Sequence, residues 1–305
     1  MSASPPTTPA CYRHPSRETY VRCTRCERPI CPECMREAAV GHQCPECVAE
    51  GRRSQRPVRT VFGGGTAGRQ GNVTKALLAI NVVVMLLSIL SDRGGDSAVG
   101  GAGFGGLLGG STPLTQWGAV LGLAPYTLFG PEHGIAAGEV YRLVTAMFLH
   151  YGLLHLAMNM WALWVLGRSL EATLGPLRFL ALYLVAGLGG NVAAYLFSAP
   201  NHATAGASTA IFGLFAALFV IMRRLGRDTS AVIPILVINL VFTFAVPSIS
   251  IAGHLGGLVT GALLALVLAY APRSRRALFQ FGGVAVLVLA LVGLTLMRTA
   301  TLLAG

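Results

Sequence analysis

Residues 142–167 read RLVTAMFLHYGLLHLAMNMWALWVLG, an apolar run interrupted by three polar side chains. These are His150, His155 and Asn159, and the last two are four positions apart, hence on one face of a helix. An apolar run of about 20 residues is long enough to cross a bilayer, where a polar group is costly unless it has a function. This stretch therefore predicts a membrane-spanning helix with a functional polar face.

The composition of the whole chain agrees with a membrane protein. Of its 305 residues, 53% are hydrophobic and only 11% are charged, whereas a soluble domain carries about 25% charged residues. This composition excludes a disordered, collagenous or fibrous protein.

Apolar runs long enough to span a membrane recur from Thr74 onward. Seven are found, at about 74–91, 143–167, 177–198, 207–223, 230–247, 249–271 and 277–297. The predicted fold class is therefore an all-α polytopic membrane protein.

Arginines between the runs predict its orientation. Eight follow the second, fourth and sixth runs: Arg168, Arg178, Arg223, Arg224, Arg227, Arg273, Arg275 and Arg276. Three lie on the other side: Arg93, Arg142 and Arg298. Because basic residues concentrate on the cytoplasmic side, we expect a multi-pass protein of the cell membrane with its N-terminus in the cytoplasm and its C-terminus outside.

In this orientation the second, fourth and sixth runs begin near the outer leaflet, and polar residues lie near each start. Ser208 follows Gly206 at the start of the fourth run, and His254 lies about five residues into the sixth. A serine and a histidine on different helices can form a nucleophile and base pair, and a further histidine and asparagine can stabilise an oxyanion. Because the sequence has no Asp or Glu at this depth, it predicts a Ser–His dyad rather than a triad.

Each of these residues also has a purely structural interpretation. A lone membrane serine commonly bonds the carbonyl four residues earlier, and a lone histidine can simply pack. Their occurrence at one depth favours catalysis. Gly253, Gly257 and Gly261 form a stripe of small residues, which would let the helix of Ser208 approach His254 closely.

At these residues the sequence resembles the rhomboid family of intramembrane serine proteases, over about residues 72–297. The matching motifs are H-x4-H-x3-N at His150, His155 and Asn159, G-x-S at Gly206 and Ser208, and the histidine of AGHLGGLVTG, His254. Tyr141 and Arg142 stand where the family has an outer-loop Trp-Arg, and Glu171 matches its acidic residue after the second helix. The resemblance implies a six-helix bundle plus a seventh helix.

The resemblance also implies roles for these residues. Ser208 would be the nucleophile and His254 the base, with His155, Asn159 and the Ser208 backbone N–H as oxyanion donors. The supporting residues would be His150, Gly206 and Phe212, the last packing on the ring of the base. The substrates would be transmembrane proteins in the lipid bilayer, cleaved near its outer face without a catalytic cofactor.

One residue departs from the family pattern. The motif is G-x-S-G, and Thr209 replaces its second glycine. A β-branched residue crowds the backbone beside the nucleophile, so a catalytically weakened relative that binds membrane clients is an alternative. Two further alternatives are a proton-relaying transporter and a zinc-finger adaptor anchored by its helices. A transporter would show inverted repeats and charged residues through the full membrane depth.

All seven cysteines lie within the first 47 residues, in pairs typical of zinc ligands. With one histidine they give eight ligands: Cys11, His14, Cys23, Cys26, Cys31, Cys34, Cys44 and Cys47. Eight ligands make two closed, structural zinc sites. Sequential and cross-braced pairings both fit the spacing, and the short gap between the second and third pairs resembles the cross-braced B-box type. His42 is a less suitable ligand, two residues before Cys44.

These features predict a cytoplasmic zinc module over 1–50, a flexible linker over 51–72 and the membrane domain over 73–298. The linker is basic and glycine-rich. The module could bind a cytoplasmic protein, whereas too few aromatic residues accompany its charges to predict nucleic-acid binding. Gly101, Gly103 and Gly106 match G-x-G-x-x-G, but without a preceding strand we interpret them as part of a flexible loop.

Overall fold

The computed structural model of the chain describes residues 8–54, 59–65, 71–92, 110–124, 133–246 and 249–304. The chain divides into two compact units, Met1–Val58 and Arg59–Gly305. The glycine-rich motif at 101–106 lies outside the described residues.

The first unit contains little regular secondary structure. Strands β1 (Arg36–Glu37) and β2 (His42–Gln43) pair antiparallel, and helix α1 spans Pro45–Ser54. Gly41 closes the turn between the strands with a φ of +63°, a conformation that favours glycine. The core of this unit is six buried cysteines around Ile30. Such a core is too small to fold by apolar burial alone.

The second unit is helical. Its helices are α2 (Asn72–Ser91), α3 (Pro113–Gly118), α4 (Arg142–Thr145), α5 (Leu153–Leu174), α6 (Pro176–Phe197), α7 (Ser208–Arg224), α8 (Val232–Ala245), α9 (Ile251–Tyr270) and α10 (Arg276–Ala304). A 3-10 turn over Ala146–Phe148 follows α4, and another over Arg273–Arg275 precedes α10.

Four of these helices are long and apolar enough to cross a membrane: α2, α6, α9, and α10 with its preceding turn. The segments Arg142–Phe148 and Leu153–Leu174 give a fifth span if they are taken together. Helices α7 and α8 have 17 and 14 residues, fewer than the roughly 20 that span a hydrocarbon core. The chain is thus an all-α polytopic membrane protein in which two of the seven apolar segments are short.

The second apolar run is not the single helix that its hydropathy predicts. The chain bends by 90° between Arg142–Phe148 and α5, and Gly152 at the break has a φ of +85°. His150 therefore lies outside the helix. Helix α5 continues to Leu174. Arg168 and Glu171 therefore belong to its last turns, whereas the sequence had placed them after the helix.

Glu171 is fully buried and binds the first turn of α2. Its carboxylate accepts hydrogen bonds from the backbone N–H of Val73 (3.0 Å), the N–H of Thr74 (2.8 Å) and the Thr74 hydroxyl (2.7 Å). A carboxylate at a helix N-terminus satisfies free N–H groups and complements the helix dipole. This contact fixes α2 against α5.

Helices α6, α7 and α9 pack closely through glycine. A Cβ atom at Gly257 of α9 would overlap the backbone of Thr209, and one at Gly261 would overlap Gly213 of α7. Membrane helices approach this closely only where both faces carry small residues. The glycine stripe predicted from the sequence therefore lies in the contact between α7 and α9.

Part of the predicted linker packs on the second unit. Phe62 is buried in the helical core, its carbonyl accepts a hydrogen bond from Gln280, and the carbonyl of Val61 accepts one from Arg276. Helix α1 also extends to Ser54, within the predicted linker. Residues 51–72 are thus not a uniform flexible tether.

Arg142, the first residue of α4, connects the preceding loop to the C-terminal end of α3. It is buried, it pairs with Glu139 at 2.7 Å, and it donates hydrogen bonds to the carbonyls of Gln116 and Ala119. Burial raises the pKa of Glu139, but Arg142 and the N–H of Gly134 outweigh that effect, and the net pKa is lowered. The carboxylate is therefore held in its charged form.

Candidate active site and metal-binding module

Ser208 is the first residue of α7, and no side chain caps this helix. Its backbone N–H is consequently one of the donors that a helix leaves free in its first turn. Gly206, two residues earlier, has a φ of +149°. A Cβ atom there would lie 2.9 Å from Nε2 of His155 and 3.3 Å from Oγ of Ser208, so glycine leaves open the space between these two groups.

His254 lies in the first turn of α9, which Ser250 caps by accepting the N–H of Gly253. Its Nε2 is 2.8 Å from Oγ of Ser208. The Phe212 ring, one turn after Ser208, stacks on the His254 ring with centroids 4.1 Å apart and planes 19° apart. The histidine is buried, with 7% of its surface exposed, whereas Ser208 is partly exposed.

His155 and Asn159 face the same site from α5. A long hydrogen bond of 3.4 Å from the N–H of Tyr151 ends on Nδ1 of His155. The proton of the neutral ring is then on Nε2, which faces the space beside Gly206. Asn159 is buried and donates one amide hydrogen to the carbonyl of His155. Its second amide hydrogen has no acceptor among the described residues.

His150 joins the break before α5 to the start of α7. Its Nε2 accepts the N–H of Ala207 at 3.4 Å, and its ring stands edge-on to that of His155 at 5.1 Å. The N–H of Gly206 donates to the carbonyl of Ala146 at 2.9 Å, a second link between these segments. Together these contacts fix the backbone that carries Ser208.

Thr243 is a member of the site that the sequence did not predict. It lies near the end of α8, is 1% exposed, and its Oγ1 is 2.8 Å from Nδ1 of His254. A polar residue close to the C-terminal end of the fifth apolar run was the available signal. It was missed because the contact depends on how α8 packs against α9.

Helix α7 is shorter than the hydrocarbon core of a bilayer. Arg223 and Arg224 end the helix, and 17 residues extend about 25 Å, less than a hydrocarbon core of about 30 Å. An arginine pair at one membrane boundary would therefore leave Ser208 between the two boundaries and not beyond the other one. The structure brings all the sequence-predicted site residues of the membrane domain together at this end.

The cysteine-rich unit forms two groups of potential metal ligands. One contains Cys11, His14, Cys31 and Cys34, and the other Cys23, Cys26, Cys44 and Cys47. Within each group the ligand atoms lie within 4.8 Å of one another. The first and third pairs share one group and the second and fourth the other, which is the cross-braced arrangement. His42 belongs to neither group.

The donor sets suit a thiophilic metal ion. Four thiols, or three thiols and an imidazole, match the tetrahedral ligand sets of structural zinc. Burial raises the pKa of the Cys11 thiol, but backbone N–H groups, including that of Cys31, lower it to about 6. This thiol is therefore prepared to bind as the thiolate.

Comparison with known proteins places the membrane site in a recognised domain. A family model described as the Rhomboid domain matches residues 137–271. This range contains every membrane-site residue described above and begins after the cysteine-rich unit.

Individual relatives agree with this match. The chain is 43% identical over 142 residues to Rhomboid protease GluP of Bacillus subtilis, covering 44% of this chain and 27% of that protein. It is 36% identical over 146 residues to Putative rhomboid protease YdcA of the same organism, covering 46% and 73%. It is 35% identical over 147 residues to RHOMBOID-like protein 5 of Arabidopsis thaliana, covering 46% and 47%. The chain thus matches most of YdcA but only about a quarter of GluP.

Proposed function

The chain belongs to the rhomboid family, and we propose that it is an intramembrane serine protease that cleaves a peptide bond of transmembrane substrates near the outer membrane face. The observation that carries this proposal is the distance of 2.8 Å between Oγ of Ser208 and Nε2 of His254. A hydroxyl so placed on a histidine, at a helix N-terminus inside a membrane, has the geometry of an activated nucleophile.

The reaction we propose is acyl transfer. His254 takes the hydroxyl proton of Ser208 as Oγ attacks the scissile carbonyl, and returns it to the leaving amine as the C–N bond breaks. The developing oxyanion would be stabilised by Nε2–H of His155, the amide of Asn159 and the free N–H of Ser208. Water then hydrolyses the acyl-enzyme by the same proton path.

No acidic residue occurs in the sequences of α7, α8 or α9, and the one in α5, Glu171, is committed to the start of α2. The proposed reaction therefore works without a carboxylate partner for His254. A substrate helix has to unwind to expose its carbonyl to Ser208, so we expect small or helix-breaking residues near the cleaved bond.

The alternative function is that of a weakened relative that binds membrane clients without cleaving them. The observation that favours it is Thr209, which stands directly after the nucleophile where the family motif has glycine. Its hydroxyl is buried without a hydrogen-bond partner among the described residues. Both functions use the same site, and the reactivity of Ser208 separates them.

Labelling with a serine-directed fluorophosphonate tests the proposal. The purified full chain should react, and Ser208→Ala and His254→Ala should abolish both labelling and cleavage of a transmembrane reporter substrate. The remaining donors cannot attack a carbonyl, so the loss should be several orders of magnitude. Ser198→Ala, which removes a serine at the end of α6, is the matched control and should label normally. Unchanged cleavage by Ser208→Ala would refute the assignment.

We further propose that the two ligand groups bind structural zinc ions, so that the unit folds only with metal. In this proposal zinc supplies folding free energy and takes no part in hydrolysis. The exposed surface of the module would be available to a cytoplasmic protein.

The orientation of the chain is also a proposal. The eight arginines at one end of the bundle support a cytoplasmic N-terminus and an external C-terminus. Of the three arginines that the sequence assigns to the other side, Arg142 is buried and paired with Glu139, which strengthens the asymmetry. A reporter active only outside the membrane should be active when fused after Gly305 and inactive after Arg227. The reverse pattern would place Ser208 at the cytoplasmic face.

A further inference from the structure

Thr243 contacts the ring of His254 on the side opposite Ser208. Its Oγ1 is 2.8 Å from Nδ1, while Nε2 is 2.8 Å from Oγ of Ser208. Both ring nitrogens of His254 are therefore engaged, each by a hydroxyl on a different helix. Of the residues of α8, only Val232 and Thr243 are buried, so Thr243 is the one polar side chain that this helix buries.

The hydrogen bonds of Thr243 determine where the protons lie. Its Oγ1 is also 2.8 Å from the carbonyl oxygen of Asn239, one turn earlier. A carbonyl can only accept, so the single hydroxyl proton of Thr243 goes to Asn239. Oγ1 must then accept from His254, which requires a proton on Nδ1.

A neutral imidazole with its proton on Nδ1 has a bare lone pair on Nε2. That lone pair faces the hydroxyl of Ser208, which is the state a general base needs before it takes a proton. The opposite tautomer would direct an N–H at Ser208 and leave Nδ1 unable to donate to Thr243.

We propose that Thr243 is a positioning residue that selects the Nδ1–H tautomer of His254 and fixes the plane of its ring. The proposal rests on the function proposed above for Ser208 and His254. When the Ser208 proton reaches Nε2 and the Oγ–C bond forms, the ring becomes a cation that still donates Nδ1–H to Thr243. This hydrogen bond is then charge-assisted and stronger. When Nε2 returns the proton to the leaving amine, the neutral Nδ1–H ring is restored.

A purely structural role makes a different prediction. Buried threonines often bond the carbonyl four residues earlier and contribute only to packing. Thr295 of α10 is such a residue: it is buried, and it donates to the carbonyl of Leu291 at 2.8 Å. Thr295→Val is therefore a matched control for Thr243→Val, since each removes the same backbone contact while preserving volume.

The test uses the purified full chain and a transmembrane reporter substrate. We expect Thr243→Val to lower kcat about 10- to 100-fold with little change in KM, because ring orientation and tautomer affect the proton transfer and not substrate binding. Thr243→Ser, which keeps the hydroxyl, should recover most of the rate, and Thr295→Val should stay within about twofold of wild type. A wild-type kcat in Thr243→Val, or equal losses in the valine and serine variants, would overturn the proposal.

The tautomer can be measured without activity. With 15N-labelled histidine, the nitrogen shifts of His254, assigned by their absence in His254→Gln, should report a protonated Nδ1 in wild type and its loss or exchange in Thr243→Val. If wild type lacks Ser208-dependent labelling, the protease function fails while this measurement still decides the tautomer. A wild-type ring protonated on Nε2 would overturn the role of Thr243 even in an active enzyme.

Discussion

Thr209 occupies space that Gly190 leaves open: a Cβ atom added to Gly190 would lie 2.6 Å from the Cβ of Thr209. A Cβ atom added to Gly253 would lie 3.2 Å from its Cγ2. Glycines on α6 and α9 therefore make room for the branched residue after the nucleophile. The departure from the family motif is accommodated by packing, with Ser208 still at the start of α7.

Removal of the Thr209 side chain should affect stability more than chemistry. We expect Thr209→Gly to change the cleavage rate by no more than about tenfold, or about 1.4 kcal/mol of barrier. It should lower the free energy of unfolding by about 1–2 kcal/mol, because it empties packed space and puts glycine in a helix. Cleavage kinetics and denaturation of both proteins check this. A wild type inert to the serine probe, with a reactive glycine variant, would instead favour the client-binding alternative.

The hydroxyl of Thr209 should itself be destabilising. It is buried without a partner among the described residues, so Thr209→Val should raise the free energy of unfolding by about 1 kcal/mol. Thr295→Val removes a hydroxyl that does bond a carbonyl and should lower it by a similar amount. If the two variants shift stability in the same direction, the hydroxyl of Thr209 forms a hydrogen bond and the prediction is wrong.

Replacement of Glu171 by glutamine should weaken the attachment of α2. The carboxylate accepts three hydrogen bonds at a helix N-terminus, and an amide brings hydrogens toward these donors. We expect a loss of about 2–3 kcal/mol in denaturation measurements. Asp228→Asn changes an exposed carboxylate that accepts the backbone N–H of Ser230. It should lower the free energy of unfolding by less than about 1 kcal/mol. Equal effects would contradict the assigned importance of the buried cap.

Metal analysis of the full chain should give two zinc ions per molecule. Cys31→Ser should lower this number, whereas His42→Ala should not, because His42 is in neither ligand group. Chelation should unfold the module, since metal binding supplies its folding free energy, while labelling of Ser208 in detergent persists. A zinc-free protein, or a mass that indicates internal disulfides, would contradict this prediction.

The pair formed by Glu139 and Arg142 should make stability depend on pH. The pKa of Glu139 in the folded protein lies below the ordinary value of 4.5. The stability that its charged carboxylate contributes is therefore present above that value and is lost as the pH falls through the lower folded pKa. Glu139→Gln should therefore destabilise the chain at neutral pH by about 1–2 kcal/mol. The difference from wild type should shrink as the pH falls through the lowered pKa of Glu139 in denaturation series. A constant difference would exclude titration of Glu139 as its cause.

Local spacing was sufficient to single out most of the membrane-domain residues that the structure brings together. His150, His155 and Asn159 follow one another within ten residues, and Ser208 and His254 lie near the starts of apolar runs, so depth could be inferred from position along each run. Hydropathy likewise located the seven apolar segments, because a membrane helix needs a long apolar sequence.

What the sequence could not predict depends on contacts between distant segments. The break at 149–152 is held by hydrogen bonds from the N–H groups of Gly206 and Ala207 to Ala146 and His150, which no local pattern reveals. The contact between Thr243 and His254 joins two helices. The pairing of the ligand groups was undetermined for the same reason, since C-x2-C spacing is identical in both arrangements.

Because the two ligand groups alternate along the sequence, the cysteine-rich unit cannot be divided into two fragments that each keep a complete group. In a sequential arrangement, a break between Cys26 and Cys31 would leave two fragments, each with a full set of four ligands. In the observed pairing, no single break between Cys11 and Cys47 leaves both fragments with a complete set. A truncation from either end that removes one whole group therefore also removes ligands of the other. A chain still being synthesised completes its first group only when Cys34 has emerged, after Cys23 and Cys26 of the second group.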